Sequence, residues 1–248
     1  MDVDEKRRRA AAYSWYHTID LGDGVTADGQ YDHRGLLEHY GLPADLTGRS
    51  ALDVGPAHGF FAFEIEARGA DRVVTAELPR WSAHDGSESL RATFEKEGHD
   101  DRYEDYLHGA LDFAIAARGS RVEQVHCNVY DLDPAVIGTF DLVFCASMLL
   151  HVTDPLRALY AIRGVCSDTA IIATTVDVPR LRRLGRVPRA HFVGQRDGQT
   201  FWEPNLACLR AWALAAGFAR VETVSEFRLR SVDGTVDEPH ATIRAHVR

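Results

Sequence analysis

The sequence lacks several features that would place it in a specialised class of protein. Its four cysteines among 248 residues form no CxxC pair, which favours free thiols in a reducing compartment. No run of 18 apolar residues occurs, and no apolar segment follows the basic run at residues 6–9, so neither a membrane span nor a signal peptide is expected. We expect a soluble, cytoplasmic protein in which residues 6–9 are the solvated start of a helix.

The sequence also has fewer basic than acidic residues. The 28 lysines and arginines face 37 aspartates and glutamates, giving a formal charge of -9, which disfavours non-specific binding to nucleic acid. Twelve histidines are present, but none has the HxxxH or HxH spacing beside an acid that would require a metal. The composition, 45% hydrophobic and 26% charged, is that of a globular protein and excludes disordered, collagenous and coiled-coil chains.

From about residue 50, short β-branched runs alternate with longer helical stretches, a pattern typical of a parallel sheet covered on both faces. The predicted strands are 50–54, 72–76, 123–127, 140–146, 170–176, 221–230 and 241–248. The predicted helices are 60–68, 88–96, 103–118, 155–165 and 205–216. The last two strands are too close for a crossover helix and should pair antiparallel.

These patterns predict an α/β fold: a mostly parallel seven-stranded sheet with a C-terminal antiparallel hairpin and helices on both faces. No linker separates two domains, so we expect a single domain. It would comprise an N-terminal lid segment at 1–49 and a ligand-binding unit at 50–248, with a cap insertion near 79–119.

The strongest local signal is the segment ALDVGPAHG at 51–59, an apolar strand that reaches Asp53 and then enters a glycine-bearing turn. Glycine allows the backbone to approach a ligand closely, because a Cβ would block that approach. The order Gly55-x-Ala57-x-Gly59 differs from the GxGxxG of dinucleotide-binding proteins. It therefore disfavours a nicotinamide oxidoreductase and suits a ligand without a pyrophosphate.

Polar residues also follow the next strands. Glu77 ends the second strand, where open α/β sheets bind ribose hydroxyls. Asn128 and Val129 follow the third strand and form a mixed polar and apolar edge that suits an adenine ring. His151 lies shortly after the fourth strand, at the edge of the sheet where such folds bind ligands.

Together, and in this order, these residues resemble the class I S-adenosylmethionine-dependent methyltransferases from about residue 50 to the C-terminus. The resemblance implies their Rossmann-like fold, with S-adenosyl-L-methionine as cofactor and S-adenosyl-L-homocysteine as product. Glu77 departs from the more usual aspartate of that family. The residues implied to bind the cofactor from the sheet are Asp53, Gly55, Ala57, Gly59, Glu77, Leu78, Asn128, Val129 and Ala146.

A finer resemblance lies in the segments 15–21, 31–34 and 201–205. They look like a subgroup related to the tRNA wobble-uridine carboxymethyl and methoxy transferases, many members of which act on small molecules in specialised metabolism. In that subgroup the N-terminal aromatic segment packs over the cofactor. The resemblance therefore implies that Tyr16, His17 and Tyr31 close the pocket.

The reaction would be an in-line displacement at a sulfonium methyl group, which mainly requires positioning and exclusion of water. An amine or thiolate acceptor needs little more, whereas a hydroxyl or carbon acid needs a base. His151, His17 and His33 are the candidate bases, because histidine accepts a proton near neutral pH.

An arginine-rich stretch at 179–196 follows the fifth strand. Arginine forks match carboxylates and phosphates, so Arg182 and Arg183 are candidate substrate contacts for an anionic metabolite. A solvated basic loop is the alternative for this stretch. Trp202 is a further candidate substrate contact, with a place in the core as its alternative.

Three functions stay open at this point. The first is methyl transfer to a small, polar or anionic metabolite by a monomer or homodimer with no membrane partner. The second is methyl or carboxymethyl transfer to tRNA, which the net charge of -9 disfavours. The third is a non-catalytic regulator that binds S-adenosylmethionine.

Overall fold

The computed structural model describes residues 1–86, 88, 91, 92, 96, 104–177, 186–194 and 200–248. The N-terminal segment begins with helix α1 (Val3–Ala10), and two small strand pairs and a short helix follow it. Strand β1 (Trp15–His17) pairs in parallel with β4 (Gly29–Tyr31), and β2 (Ile19–Asp20) pairs antiparallel with β3 (Thr26–Ala27). Helix α2 (Leu37–Tyr40) ends at Gly41 in a left-handed conformation.

Lys6, in helix α1, is buried and not solvated. That side chain is only 2% exposed. Its Nζ donates hydrogen bonds to the carbonyl oxygens of Leu21 and Ala117, at 2.8 and 2.9 Å, and to Asp23 at 2.8 Å. The expectation of a solvated run at 6–9 is therefore wrong for its first residue, because the ammonium group satisfies carbonyls that would otherwise be buried without a partner.

The remaining elements build a layered α/β unit. In chain order its strands are β5 (Ser50–Val54), β6 (Arg72–Glu77), β7 (Glu123–His126), β8 (Phe140–Ala146), β9 (Cys166–Thr175), β10 (Ala190–Phe192), β11 (Trp202–Pro204), β12 (Arg220–Arg230) and β13 (Asp237–His246). Its helices are α3 (Phe60–Ala67), α4 (Ala110–Arg118), α5 (Pro134–Ile137), α6 (Pro155–Val165) and α7 (Leu206–Ala215). Strands β10 and β11 form a small antiparallel pair outside the main sheet.

The main sheet has the strand order β12-β13-β9-β8-β5-β6-β7. Strands β7, β6, β5, β8 and β9 run parallel, while β13 is antiparallel to both β9 and β12. The predicted mostly parallel seven-stranded sheet with an antiparallel hairpin is confirmed. The central strands are long apolar runs because helices cover both faces.

Two apolar layers enclose the sheet. On one side α6 and α7 pack through residues such as Leu159 and Leu209. On the other side α3 and α4 pack together with the N-terminal segment through Phe61 and Phe113. The N-terminal segment is therefore part of the core on one face, and it reaches the carboxyl edge of the sheet from there.

The element boundaries follow the sequence prediction closely where periodicity is strong. Strands 50–54 and 140–146 and helix 155–165 have the predicted limits. Strand β9 begins at Cys166 rather than 170, because its first residues already pair with β8, with Cys166 opposite Phe140. The helix predicted at 103–118 is a π-helical turn at Glu104–Gly109 followed by α4, and the helix predicted at 88–96 lies mostly outside the described residues.

None of the helices in the described ranges combines the length and the apolar character needed to cross a bilayer.

Candidate functional site

A cavity of about 400 Å³ opens at the carboxyl edge of the parallel strands. We call the part formed by the ends of β5, β6 and β7 the sheet wall; it comprises Asp53, Gly55, Glu77, Asn128 and Val129. The facing part, the N-terminal wall, comprises Tyr16, His17, Gln30, His33 and Tyr40. This is the edge at which open α/β sheets bind ligands.

Asp53 lies at the base of the sheet wall. The side chain is 2% exposed, and its Oδ2 has no hydrogen-bond partner within the described residues. Burial, and secondarily the neighbouring Glu77 carboxylate, raise the pKa of Asp53 to about 8. A buried acid with an unsatisfied oxygen fits a ligand that brings a cation or a hydrogen-bond donor.

The turn after β5 brings backbone rather than side chains to the cavity. Gly55 has φ +71°, and a Cβ there would approach the Met148 side chain to 3.2 Å. Ala57 adopts a left-handed φ of 47° without being glycine. Both residues line the cavity, so this turn leaves the space that a closely approaching ligand needs.

Gly59, a predicted cofactor contact, is not among the described residues that line the cavity. It caps α3 with φ +85°, and a Cβ there would lie 2.6 Å from Leu111 Cδ1. Packing of α4 against this turn therefore explains the glycine, rather than approach of a ligand.

The outer part of the sheet wall presents a carboxylate and a flat edge. Glu77 is the last residue of β6, and its Oε1 accepts a hydrogen bond from Leu78 N at 2.8 Å. Asn128 accepts from Tyr130 N at 3.0 Å through Oδ1 and donates to Ala83 O at 3.3 Å through Nδ2. These bonds fix both side chains beside a cavity surface that includes Val129.

Asp85 ties the outer rim of the cavity to the segment before α6. Its Oδ2 accepts from the Tyr130 hydroxyl at 2.5 Å and from the Thr153 backbone N and hydroxyl at 2.5 and 2.7 Å. His84 packs against Trp81, with ring centroids 4.5 Å apart. Burial, followed by the nearby His151, lowers the pKa of His84 to about 4.

His58 holds the N-terminal wall in place. Its Nδ1 accepts a hydrogen bond from Tyr16 N at 2.7 Å, and its Nε2 donates to Tyr106 O at 2.8 Å. The ring is fully buried, and burial lowers its pKa to about 4. A neutral imidazole with one donor and one acceptor satisfies both backbone groups.

His17 and His33 face the cavity together, with ring centroids 5.1 Å apart. His33 Nδ1 is 3.0 Å from the Tyr40 hydroxyl. Burial, and then the nearby His240, lower the pKa of His33 to about 4, and burial lowers the pKa of His17 well below its usual range. His17 Nδ1 has no hydrogen-bond partner within the described ranges.

The remaining predicted residues divide into three groups. His151, Leu78 and Ala146 line the cavity as predicted. Two residues lie elsewhere: Tyr31 packs behind Tyr16 with ring centroids 4.9 Å apart, and Trp202 donates its Nε1 hydrogen to Thr153 O at 3.0 Å. Neither is among the described residues that line the cavity, and their contacts with ligands stay predictions. Arg182 and Arg183 lie outside the described residues.

Sequence reasoning missed Ser147, Tyr40 and Tyr106, all of which line the cavity. The serine follows the predicted fourth strand directly, so its place at a strand end was a usable signal. Tyr40 and Tyr106 lie in helical turns without a motif. Within the described residues no group of three or more His, Cys, Asp or Glu side chains is arranged to hold a metal ion.

The charge of the cavity is one-sided. Three acidic residues, Asp53, Glu77 and Asp85, are on its described lining, and no lysine or arginine is among them. Because its pKa is raised to about 8, Asp53 is mostly protonated at neutral pH, so the negative charge comes mainly from the other two. Such a lining attracts a cationic or uncharged ligand and disfavours an anionic one.

Comparison with known proteins gives this geometry a context. A family model described as "Methyltransferase domain" matches residues 52–174. The tRNA U34 carboxymethyltransferase of Syntrophotalea carbinolica is 28% identical over 202 residues, covering 80% of this chain and 52% of that protein. The enzyme of the same name from Pseudomonas syringae pv. syringae is 26% identical over 200 residues, with coverage of 80% and 52%. The chain thus spans about half the length of these curated relatives.

Solved structures share the fold. The N-terminal domain of EvdMO1, crystallised in the presence of SAH and D-fucose, superposes with a TM-score of 0.62 at 18% identity, covering 100% of this chain and 98% of that one. A structure described as an S-adenosylmethionine-dependent methyltransferase, from Mesorhizobium loti, gives a TM-score of 0.54 at 16% identity, with coverage of 92% and 100%.

Proposed function

We propose that the chain transfers a methyl group from S-adenosylmethionine to a small polar molecule in the cavity, because residues 52–174 match a family model described as "Methyltransferase domain". The predicted fold, enzyme class and cofactor are confirmed at the level of this domain. The substrate and the residue roles are the proposal.

The sheet wall would hold the cofactor. The unsatisfied, buried Asp53 would receive its cationic end, and Glu77 would accept hydrogen bonds from ribose hydroxyls. Because Gly55 has no side chain, part of the cofactor could approach the backbone of this turn closely. Asn128 and Val129 would flank the adenine of the cofactor. When bound, S-adenosylmethionine supplies an electrophilic methyl group on a positively charged sulfur. The acidic lining favours that charge.

The N-terminal wall would bind the methyl acceptor. It presents neutral imidazole and phenol groups of His17, His33, Tyr16 and Tyr40 to the cavity of about 400 Å³ that it shares with the sheet wall. A space of this size fits small ligands, and such groups bind uncharged polar molecules by hydrogen bonds. By covering the cavity, the N-terminal wall would also exclude water and hold the acceptor at reacting distance. The cavity charge is the single observation that carries this assignment.

Transfer to tRNA is the second candidate, favoured by the names of the curated relatives. Against it are the net charge of -9 and a described cavity lining without a lysine or arginine. A protein that holds an RNA backbone gains most of its affinity from such cationic side chains.

Labelled methyl transfer distinguishes these functions. The purified protein is incubated with methyl-labelled S-adenosylmethionine and an extract of its source cells that has been separated into small-metabolite and RNA fractions. We expect label in the metabolite fraction. Label in RNA would establish the second candidate, and cofactor binding without any transfer would support a regulatory protein instead.

A further inference from the structure

Ser147 stands at the junction of the two walls of the cavity. It follows the last residue of β8, the strand beside β5, and it lines the cavity next to Met148. Its φ of 50° is left-handed although it is not glycine. A backbone conformation of that kind is strained and tends to persist where it places a functional group.

His240 lies directly behind this serine. The Ser147 Oγ is 3.3 Å from His240 Nε2. His240 is 2% exposed and lies on β13, outside the described lining. The serine hydroxyl therefore stands between a buried imidazole and the open cavity.

The neighbouring groups assign the hydrogens of this pair. His240 Nδ1 is 3.4 Å from the carbonyl oxygen of Glu238, which only accepts, so Nδ1 carries the hydrogen and Nε2 of the neutral ring is an acceptor. Thr175 Oγ1 is also 3.4 Å from Nε2, but it donates its own hydrogen to Glu238 Oε2 at 3.1 Å. Ser147 is thus the donor to Nε2, which leaves its oxygen lone pairs free to accept from a ligand in the cavity.

We propose that Ser147 and His240 form the binding site for a hydroxyl group of the methyl acceptor, so that the product is a methyl ether. This inference rests on the proposed methyl transfer and specifies its acceptor chemistry. An acceptor hydroxyl would donate a hydrogen bond to Ser147 Oγ. This bond would turn a lone pair of the acceptor oxygen toward the reacting methyl group.

The step balances in atoms and charge. A C–O bond would form between the acceptor oxygen and the methyl group as the bond from methyl to sulfonium sulfur breaks, and the sulfur would keep that electron pair. The acceptor proton would pass to Ser147 Oγ while the serine proton passes to His240 Nε2. The imidazolium would then stand near the Glu238 carboxylate, which Thr175 links to the ring.

Two other buried histidines have different bonding, and a third, His17, faces the cavity directly with no hydrogen-bond partner for its Nδ1 within the described residues. His33 Nδ1 is engaged with Tyr40, and both nitrogens of His58 are engaged with backbone groups. His240 differs because its accepting nitrogen reaches the cavity through a hydroxyl. It was not among the candidates from the sequence, in which it lies 93 positions after Ser147.

The first test identifies the bond that is formed. Carbon-13-methyl S-adenosylmethionine is used with the small-metabolite fraction of the cell extract, and the labelled product is examined by proton–carbon correlation spectroscopy. We expect a methoxy signal. An N-methyl, S-methyl or C-methyl signal would overturn the inference while leaving methyl transfer intact, whereas absence of metabolite labelling would overturn both.

The second test uses variants with the labelled acceptor. Ser147→Gly, which also relieves the left-handed backbone, and Ser147→Ala should each lower kcat/KM about 100-fold or more. His240→Gln retains an acceptor near Nε2 but no base, so kcat should fall more than KM rises. Affinity for S-adenosylhomocysteine should stay within about twofold in all three, because the sheet wall is intact.

Thr242→Val is the matched control. Thr242 is fully buried on the same strand as His240, and its Oγ1 has no hydrogen-bond partner within the part of the chain that the structure describes. Its turnover should equal that of the wild type. Unchanged kcat/KM in both Ser147 variants would overturn the inference.

A third measurement needs no acceptor. Nitrogen-15 spectroscopy of the imidazoles should show His240 as the Nδ1–H tautomer, with an Nε2 resonance that moves in Ser147→Ala but not in Thr242→Val. A hydrogen on Nε2 in the wild type would contradict the assigned direction of the serine hydrogen bond.

Discussion

The two walls of the cavity differ in charge and in the parts of the chain that form them. The sheet wall carries the acidic side chains of Asp53 and Glu77, and each of its residues lies at or just after a strand end. The N-terminal wall carries imidazoles and phenols, and His58 joins it to the turn after β5. The sheet wall is therefore suited to a cationic ligand, and the N-terminal wall to an uncharged one.

Titration also separates the walls. Asp53 has a pKa raised to about 8, so the folded protein holds more protons at this site than the unfolded chain between about pH 4 and 8. His33 and His58 have pKa values lowered to about 4, so the folded protein holds fewer protons there between about pH 4 and 6.5. Stability should therefore fall with rising pH through Asp53 and rise with pH through the histidines.

Replacement of Gly55 should cause the largest effect. Gly55→Arg places a side chain in the cavity and should weaken binding of S-adenosylhomocysteine more than about 100-fold, as measured by isothermal titration calorimetry. Gly119→Arg is its control, because Gly119 also has a left-handed φ but nothing within 4 Å of its Cβ position. Equal affinities of the two variants would place the ligand elsewhere.

Glu77→Gln should have the next largest effect. Loss of a charge-assisted hydrogen bond to a ribose hydroxyl costs about 1.5 to 3 kcal/mol, which corresponds to roughly 10- to 150-fold weaker binding of S-adenosylhomocysteine. The exposed Glu226 provides the control Glu226→Gln, with the same change of charge away from the cavity. Parallel losses in both variants would indicate a general effect of net charge.

Asp53→Asn should change stability and binding in opposite directions. The amide removes the buried acid, so the melting temperature of the ligand-free variant should exceed that of the wild type by a margin that grows from pH 5 to about 8 and then levels off. Each kcal/mol corresponds to roughly 2 to 4 °C. Affinity for S-adenosylhomocysteine should fall, and a variant that is less stable at pH 8 would refute the unsatisfied state of this acid.

His33→Gln should give the smallest effect. The wild type should lose stability as pH falls from about 6.5 towards 4, because protons then bind the histidines of the unfolded chain more readily. The variant removes one of these groups, so its melting temperature should decline less steeply over that window. A slope equal to that of the wild type would contradict the lowered pKa of His33.

The sheet wall was largely predictable from the sequence, and the N-terminal wall only in part, through Tyr16, His17 and His33. A parallel sheet gathers its strand ends at one edge, so Asp53, Gly55 and Glu77 could be brought together without coordinates. Gly59 shows the limit of that reasoning, because a Cβ there would lie 2.6 Å from Leu111 Cδ1, so helix packing alone calls for glycine at this position. The sequence of a turn does not show which helix packs against it.

The N-terminal wall depends on contacts between distant parts of the chain. Strands β1 and β4 have only three residues each, too few for a periodic pattern. The bond from Tyr16 to His58 spans 42 positions and that from Ser147 to His240 spans 93. The resemblance to a known subgroup identified the aromatic segment, but only the fold showed that Tyr31 lies behind Tyr16.

Hydrogen exchange with and without saturating S-adenosylhomocysteine tests the central assignment most directly. With the ligand bound, we expect slower exchange in the wild type for peptides covering residues 53–59, 76–84 and 127–131. We expect no change at the opposite edge of the sheet, around residues 47–49 and 167–168. Protection confined to that opposite edge, or no protection at the sheet wall under saturating ligand, would contradict it.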